Sequence, residues 1–306
     1  MKQAIVVGSE GQDGRLLSEL LAKNGRKVHG IAKGGPVDIL DPARVAGAVE
    51  QIKPDEIYYL AAVHHSSQED PATSYAALLS DSFRNNVEGL LNFLVAARLH
   101  APDVRLFYAS SSLVFGSPAQ SPQDENTTLN PECIYGISKV AGMHCCRMFR
   151  LRHRIFAACG ILYNHESIYR REGFVSRKIV TSAVRIKRGK QERLVLGDLS
   201  AKVDWGWAGD YVNAMMRILQ LTEPRDFIVA TGMAHSVQDF VEIAFDAVGL
   251  DWRKFVSEEG SIMAHRRGGL VGDSSRLRQA TGWTPTLNFQ QMVQKLVAQT
   301  EAADPR

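Results

Sequence analysis

Apolar and polar positions along the chain follow two alternating patterns. Short, continuous apolar runs predict buried strands at residues 3–8, 27–32, 56–60, 104–109 and 155–162. Between these runs, apolar positions recur at helical spacing and predict helices at residues 13–24, 43–52, 81–99 and 131–151. Because alternating strands and helices form right-handed βαβ units, the sequence predicts an α/β fold with a doubly wound parallel sheet. Such a sheet holds its ligands at the carboxyl ends of the strands.

The pattern changes after residue 163. Residues 163–173 are polar and charge-rich, with no clear period. An amphipathic stretch at 174–187 and a strand-like run at 193–196 come next. The apolar run at 227–230 predicts a strand that returns to the main sheet, and residues 237–248 predict a helix. We therefore expect a small carboxyl-terminal lobe that shares segments with the main domain.

Bulk composition narrows the class of protein. Apolar residues make up 45% and charged residues 23% of the 306 residues, as in an ordinary soluble globular protein. A net charge of +3 is too small to indicate a nucleic-acid partner, and no apolar run reaches the roughly 18 residues of a membrane span. The four cysteines lack a Cys-x-x-Cys spacing. We therefore expect free thiols, no metal site and a cytoplasmic location.

A glycine-rich turn joins the first predicted strand to the first predicted helix. Gly8, Gly11 and Gly14 allow a tight turn that brings backbone N–H groups close to a pyrophosphate. The positive end of the helix that begins near Asp13 attracts the same anion. A plain strand–turn–helix without a ligand is the alternative. The turn predicts a Rossmann-type dinucleotide-binding domain over residues 1–163, with returning segments near 193–232, and a substrate-binding lobe over residues 164–192 and 233–306.

The end of the second predicted strand bears on the choice of dinucleotide. An enzyme that selects NAD normally has an acidic residue here, which binds the ribose 2′-hydroxyl. This chain has Lys33, and a cation suits a 2′-phosphate, so we expect NADP, with NAD as the alternative. Asp38 comes later and is expected nearer the adenine. The predicted cofactor-binding set also includes Ile39, Leu60 and Ala61.

A tyrosine, a lysine and a run of serines predict the chemistry. Tyr135 and Lys139 lie one turn apart in a predicted helix, and Ser111 follows the fourth predicted strand. A tyrosine with a pKa of about 10 is a poor base at neutral pH, and the nearby ammonium, helped by the positive nicotinamide ring, is expected to lower that pKa. Tyr135 then exchanges a proton with a substrate hydroxyl while hydride moves at the same carbon, and Ser111 hydrogen-bonds the reacting oxygen. The alternatives are that Tyr135 and Lys139 are surface residues of a helix without a catalytic role, and that the serines only cap the end of a strand. Together with the glycine turn, these residues predict a nicotinamide-dependent enzyme.

The motifs resemble the extended short-chain dehydrogenase/reductase family, most closely its GDP-mannose 4,6-dehydratase subgroup. The similarity runs over nearly the whole chain and includes GSEGQDG at 8–14, NHES at 164–167 and DWG at 204–206. It implies a nucleotide-sugar substrate and a homodimer or homotetramer. By position, it implies cofactor contacts by Gln12, Asp13, Tyr135, Lys139, His165 and Arg170. It also implies substrate contacts by Ser112, Asn164, Val175, Lys178 and Arg266.

Three departures from the subgroup bear on the reaction. Leu113 stands where the dehydratase has the glutamate that removes the C5 proton, and leucine cannot accept a proton. Val203 replaces an arginine, although Lys202 is adjacent, and AHRRGG at 264–269 replaces an Arg-Pro-Thr-Glu segment. Hydride transfer at C4 of the hexose, as a ketoreductase or epimerase, is therefore the leading hypothesis. The alternatives are a 4,6-dehydratase with another base, such as Glu132, and a non-catalytic cofactor-sensing protein.

The predicted helices at 81–99 and 131–151 resemble the two that pair across the family's dimer as a four-helix bundle. They contain more apolar residues than one buried face needs, namely Leu90, Leu91, Phe93, Leu94, Met143, Met148 and Phe149. We therefore expect an isologous dimer. The alternative is that the sheet alone buries these residues.

Overall fold

The computed structural model describes residues 1–63, 75–259 and 269–303. Its strands are β1 (Gln3–Val7), β2 (Lys27–Ile31), β3 (Glu56–Tyr59), β4 (Arg105–Ser111), β5 (Phe156–Leu162), β6 (Asn164–Glu166), β7 (Leu194–Leu196), β8 (Lys202–Trp207), β9 (Asp226–Val229), β10 (Ala234–Ser236) and β11 (Val256–Glu258). Its α-helices are α1 (Gln12–Lys23), α2 (Pro42–Ile52), α3 (Tyr75–Phe83), α4 (Gly89–His100), α5 (Ile134–His153), α6 (Val175–Lys187), α7 (Ala208–Ile218), α8 (Val237–Ala247), α9 (Ser275–Thr281) and α10 (Phe289–Ala303).

Six parallel strands form the main sheet, in the order β2-β1-β3-β4-β5-β9. One face packs on apolar residues of α2, α4 and α5, and the other on α1, α7 and α9. Every residue of β3 is buried, as a strand covered on both faces must be. The doubly wound parallel sheet predicted from the sequence is confirmed, and so is the returning strand, β9.

Residues 81–99 are helical throughout, as predicted, but α3 and α4 are joined by a π-helical turn at Arg84–Glu88 that the sequence did not predict. Two tyrosine hydroxyls from the sheet bind the carbonyls of this turn. Tyr59 Oη donates to the carbonyl of Asn85 at 2.5 Å, and Tyr108 Oη donates to the carbonyl of Asn86 at 3.1 Å. These carbonyls are thus satisfied from outside the helix, at the kind of widened turn that often marks a functional site.

A second hydrophobic core lies in the carboxyl-terminal part, among α6, α8, α10, β7 and β8. Trp205 on β8 is 2% exposed and packs against Phe240 and Phe289. A three-stranded sheet, in the order β10-β8-β6, borders this core. The run predicted at 193–196 pairs with β11 and does not join the main sheet. The exact domain boundaries stay a prediction.

The residues that predicted a dimer are mostly buried within the protomer. Leu90, Phe93 and Leu94 are fully buried, and Met143 and Phe149 nearly so, because α4 and α5 pack these residues against the sheet. For these five residues the alternative, burial by the sheet, holds. Met148 of the predicted set is exposed, as are Val95, Leu99, Ile137 and Leu151 along the same two helices.

All four cysteines are free thiols. Among the described residues, no helix is both long enough and apolar enough to cross a membrane.

Candidate active site

The glycine turn after β1 forms a close-packed cradle. Gly8 has φ +87°, and a Cβ atom there would lie 2.8 Å from the amide nitrogen of Ala61. A Cβ at Gly14 would collide with the carbonyl oxygen of Gly8 and lie 2.7 Å from Ser9 Cα. Helix α1 begins directly after Gly11, which has no side chain to cap the first N–H groups. These features fit a pyrophosphate, which backbone N–H groups at a helix start bind well.

The other residues expected at the adenosine end lie in the segment that follows β2. Lys33 is exposed in the turn that follows β2. The carboxylate of Asp38 accepts from the backbone N–H of Leu40 at 3.0 Å and so shapes its own turn. The carbonyl of Ile39 accepts from the Asn92 side chain at 2.8 Å. The exposed Lys33 side chain is therefore accessible to a 2′-phosphate. The roles of Asp38 and Ile39 stay predictions.

Lys139 links the helix that carries Tyr135 to the strand that ends at Ser111. It is 1% exposed, and its Nζ donates to the carbonyl of Ala109 on β4 at 2.8 Å. The same Nζ lies 5.5 Å from the centre of the Tyr135 ring. Ser111 is the last residue of β4, and its Oγ accepts from Leu113 N–H at 3.3 Å. The structure thus brings the predicted trio to one end of the sheet.

Burial decides the charge states of this pair. It raises the pKa of Tyr135 above its ordinary value, although the positive charge of Arg170 acts in the opposite direction. Burial also lowers the pKa of Lys139 to about 7. The expected lowering of the tyrosine pKa, by the Lys139 ammonium together with a bound nicotinamide ring, stays a prediction. In the protein alone, loss of hydration penalises the charged forms of both side chains.

A buried asparagine, which the sequence argument missed, braces the start of α5. Asn86, in the π-helical turn, is fully buried, and its Nδ2 donates to Ser138 Oγ at 2.8 Å. Ser138 Oγ donates in turn to the carbonyl of Tyr135 at 2.8 Å. The backbone N–H of Val63 donates to Asn86 Oδ1 at 3.4 Å. Asn86 therefore fixes the tyrosine's helix relative to the chain after β3, and the polar Asn85–Asn86 pair was the available signal.

His165 and Asp13 form a buried ion pair at the start of α1. His165 Nε2 lies 3.0 Å from both carboxylate oxygens of Asp13, and Nδ1 lies 2.7 Å from the carbonyl of Tyr163. Burial disfavours the imidazolium, but Asp13 outweighs it and raises the pKa of His165. Burial acts against the carboxylate too, yet His165 and Arg170 hold the pKa of Asp13 below its usual value.

Gln12 strengthens this junction between α1 and β6. Its Nε2 donates to the carbonyl of His165 at 3.0 Å, and its Oε1 accepts from Ser167 Oγ at 2.9 Å. The ring of Tyr211 stacks on His165 with the centroids 4.4 Å apart. The structure therefore brings Gln12, Asp13 and His165 together, as expected for one cofactor-binding set.

The predicted substrate residues lie on β6 and α6 and in the turn after β4. Asn164 is exposed on β6, whereas Ser112 is only 4% exposed. Val175 is the first residue of α6, and Lys178 Nζ donates to the carbonyl of Val195 at 2.9 Å. Arg266, with Arg267, lies outside the described residues. The structure leaves the substrate roles of this set as predictions.

A cavity of about 530 Å³ lies apart from the predicted site residues, at the end of β9. Its walls include Trp205, Thr231, His235, Arg278 and Phe289, and none of the described residues of the predicted trio or cofactor set. No cluster of three or more metal-ligating side chains occurs in the described parts of the chain.

Comparison with known proteins adds the family. The GDP-mannose 4,6 dehydratase family model matches residues 35–296. GDP-mannose 4,6 dehydratase 2 from Arabidopsis thaliana is 35% identical over 327 residues, which cover 97% of this chain and 86% of the relative. RMD from Pseudomonas aeruginosa, solved with NADPH, has a TM-score of 0.86 at 23% identity and covers 99% of this chain and 100% of its own.

A second solved structure extends the comparison of folds. UDP-glucose 4-epimerase from Thermus thermophilus, solved with NAD, has a TM-score of 0.82 at 22% identity. The alignment covers 99% of this chain and 100% of the epimerase. At such identities, the two structures show the shared fold alone. The glycine cradle, the Tyr135–Lys139 pair and the match along almost the whole sequence agree, and the chain belongs to the GDP-mannose 4,6-dehydratase family of extended short-chain dehydrogenase/reductase enzymes.

Proposed function

We propose that this chain is an NADP-dependent enzyme that acts on a nucleotide-activated hexose by hydride transfer at C4, as a ketoreductase or epimerase. The family and the names of the relatives support the nucleotide-sugar substrate. RMD was solved with NADPH, and Lys33 supports the same choice of cofactor here. One observation carries the choice of reaction: Ser111, Tyr135 and Lys139 are retained, whereas Leu113 cannot act as the C5 base.

The chain's own residues supply the proton for the proposed reaction. A bound nicotinamide would supply or accept the hydride at C4. Because its pKa is raised, Tyr135 keeps its proton at neutral pH and is suited to protonate a C4 carbonyl oxygen. In the oxidative direction the same group accepts the proton of the C4 hydroxyl, so the arrangement serves both the reduction and the oxidation that an epimerase combines.

The surroundings of Leu113 support the loss of elimination. Leu113 lies in the turn Ser112–Phe115, and its carbonyl is so close to Gly136 that a Cβ there would lie 2.5 Å away. The backbone at position 113 therefore adjoins the residue after Tyr135, and the leucine side chain there offers no base. Glu132, the first replacement to consider, is exposed, and its Oε2 accepts from Ser117 Oγ at 2.8 Å.

A GDP-mannose 4,6-dehydratase that uses another base is the second candidate. Identity of 35% to the Arabidopsis thaliana enzyme over 97% of this chain favours it. The two candidates differ in what they do with a 4-keto sugar.

The test is a screen of 4-keto-6-deoxy sugars linked to GDP, UDP, dTDP or CDP, with oxidation of NADPH followed by absorbance and products identified by NMR. The proposal expects one of them to be reduced at C4. Failure to convert any of them, together with formation of a 4-keto-6-deoxy product from GDP-mannose, would establish the dehydratase instead. Tyr135→Phe is the matched control, since it removes one hydroxyl and should lower the turnover of either reaction by about 10²–10⁴.

We also propose a homodimer through α4 and α5. Leu99 and Leu151 are 64% and 70% exposed, and they lie on the same two helices as Val95, Ile137 and Met148. An apolar stripe of this kind suits a two-fold interface in which each helix meets its copy.

A further inference from the structure

Strand β6 presents three consecutive side chains to different parts of the site. Asn164 is exposed and belongs to the predicted substrate set, and His165 is bound to Asp13 on the cofactor side. Glu166, which belongs to neither set, is only 2% exposed. A buried carboxylate is costly unless it is paired, so the partners of Glu166 indicate why it is there.

The Glu166 carboxylate contacts two side chains, Arg170 and Ser176, which belong to different segments. Its Oε2 lies 3.5 Å from Arg170 Nε, and that Nε makes no hydrogen bond within the described part of the chain. The Arg170 guanidinium also stacks over the Phe174 ring, 3.8 Å from its centroid. On the other side, Oε2 accepts from Ser176 Oγ at 2.6 Å.

The two partners belong to segments with different expected ligands. Arg170 is in the predicted cofactor set, and its charge acts on both Asp13 and Tyr135. Ser176 is the second residue of α6 and lies between Val175 and Lys178, the two helix residues of the predicted substrate set. The Glu166 carboxylate therefore connects Arg170, of the predicted cofactor set, to the first turn of α6, which contains predicted substrate residues.

We propose that Glu166 is a positioning residue that couples the cofactor site to the nucleotide-sugar site. A cofactor that fixes Arg170 also fixes the carboxylate, which then holds Ser176 and the first turn of α6 in place for the second ligand. This inference rests on the proposed function, because it needs both ligands. By linkage, each ligand must raise the affinity for the other by the same factor.

The test is a pair of equilibrium titrations, NADP in the absence and presence of saturating GDP, and GDP in the absence and presence of saturating NADP. In wild-type protein each ligand should raise the affinity for the other by about 5-fold or more, within the usual range of coupling between sites. We call this increase in affinity the mutual gain. Ser176→Ala keeps the Glu166–Arg170 pair but breaks the link to α6. It should leave NADP affinity alone unchanged and remove the mutual gain.

Glu166→Gln keeps an acceptor for Ser176 but loses the charge that faces Arg170, so it should weaken both NADP binding and the coupling. Ser182→Ala is the matched control. It removes another buried hydroxyl of α6, one that accepts from Gln191 Nε2 at 3.1 Å, and it should retain the wild-type coupling.

The possible outcomes separate the two proposals. Wild-type coupling in Ser176→Ala, or unchanged NADP affinity in Glu166→Gln, would overturn the role of Glu166 and leave the proposed function standing. A wild-type protein that binds both ligands without mutual gain would do the same. If GDP, UDP, dTDP and CDP all fail to bind, with and without NADP, the proposed substrate class is overturned and the coupling with it.

Discussion

Asp13→Asn tests the charge on His165 at the start of α1. Both ring nitrogens of His165 face acceptors, namely the Asp13 carboxylate at 3.0 Å and the carbonyl of Tyr163 at 2.7 Å, so a doubly protonated ring satisfies both. His165 is only 7% exposed, so in Asp13→Asn its positive charge stays buried without the carboxylate that pairs with it. Breaking a buried ion pair in this way costs about 3–5 kcal/mol, whereas loss of one neutral hydrogen bond costs about 1 kcal/mol.

The loss of stability in Asp13→Asn should depend on pH, because His165 can also lose its proton. The pKa of His165 is raised, since Asp13 outweighs the effect of burial. Its contribution to stability is therefore full below the unfolded value of about 6.5 and is lost as pH rises through the folded value. The pKa of Asp13 is lowered against burial, so its contribution is present above the unfolded value of about 3.9 and is lost as pH falls through the folded value.

We therefore expect Asp13→Asn to lower the free energy of unfolding by about 3–5 kcal/mol near pH 5.5 and by less near pH 9. Urea unfolding followed by tryptophan fluorescence at both pH values measures this difference. Asp226→Asn is the control, because it removes a carboxylate 2.5 Å from Arg150 Nη2, and arginine does not titrate in this range. A cost for Asp13→Asn that is equal at both pH values, or larger at alkaline pH, would refute the reasoning.

Three further substitutions test the cofactor, the chemistry and the assembly. Lys33→Glu should reduce or reverse the preference for NADP over NAD in binding titrations, because it places a like charge against the 2′-phosphate; equal wild-type affinities for the two cofactors would contradict the assignment. Tyr135→Phe should lower turnover by about 10²–10⁴ while NADP affinity stays near the wild-type value, and a smaller loss would remove Tyr135 from proton transfer. Leu151→Glu puts a charge into the exposed stripe and should convert a dimer into a monomer by light scattering at micromolar concentration. A monomeric wild-type protein would contradict the dimer itself.

The main sheet could be predicted from the sequence because its strands are buried on both faces. Such strands appear as continuous apolar runs, and β1, β3 and β5 begin and end within a residue of the predicted positions. The glycine turn could also be predicted, because its requirements are local: Gly8 has φ +87°, and a Cβ at Gly14 would collide with the carbonyl oxygen of Gly8. The pairing of Tyr135 with Lys139 follows from helical spacing alone.

Features that depend on contacts between distant segments could not be predicted in this way. The π-helical turn depends on hydroxyls from Tyr59 and Tyr108, which belong to two other strands. The direction of the Tyr135 pKa shift depends on burial, which only the folded chain sets. In the smaller lobe, β6 and β10 have only three residues each, too few to show a period of two.

Helix α7 shows a further limit. Apolar residues at helical spacing, including Tyr211, Met215 and Ile218, mark it in the sequence, yet it was not predicted. Its place on the far face of the main sheet, together with Leu17 and Leu21 of α1, could not follow from that spacing.

Incubation of the wild-type protein with GDP-mannose and NADP, with the products followed by NMR, tests the central claim most directly. Because Leu113 offers no base for C5, the account predicts that no 4-keto-6-deoxy product forms, while the same preparation reduces a 4-keto sugar nucleotide with NADPH. Sustained formation of the 4-keto-6-deoxy product would contradict the account. Loss of that activity in Glu132→Gln would then identify Glu132 as the base that replaces the missing glutamate.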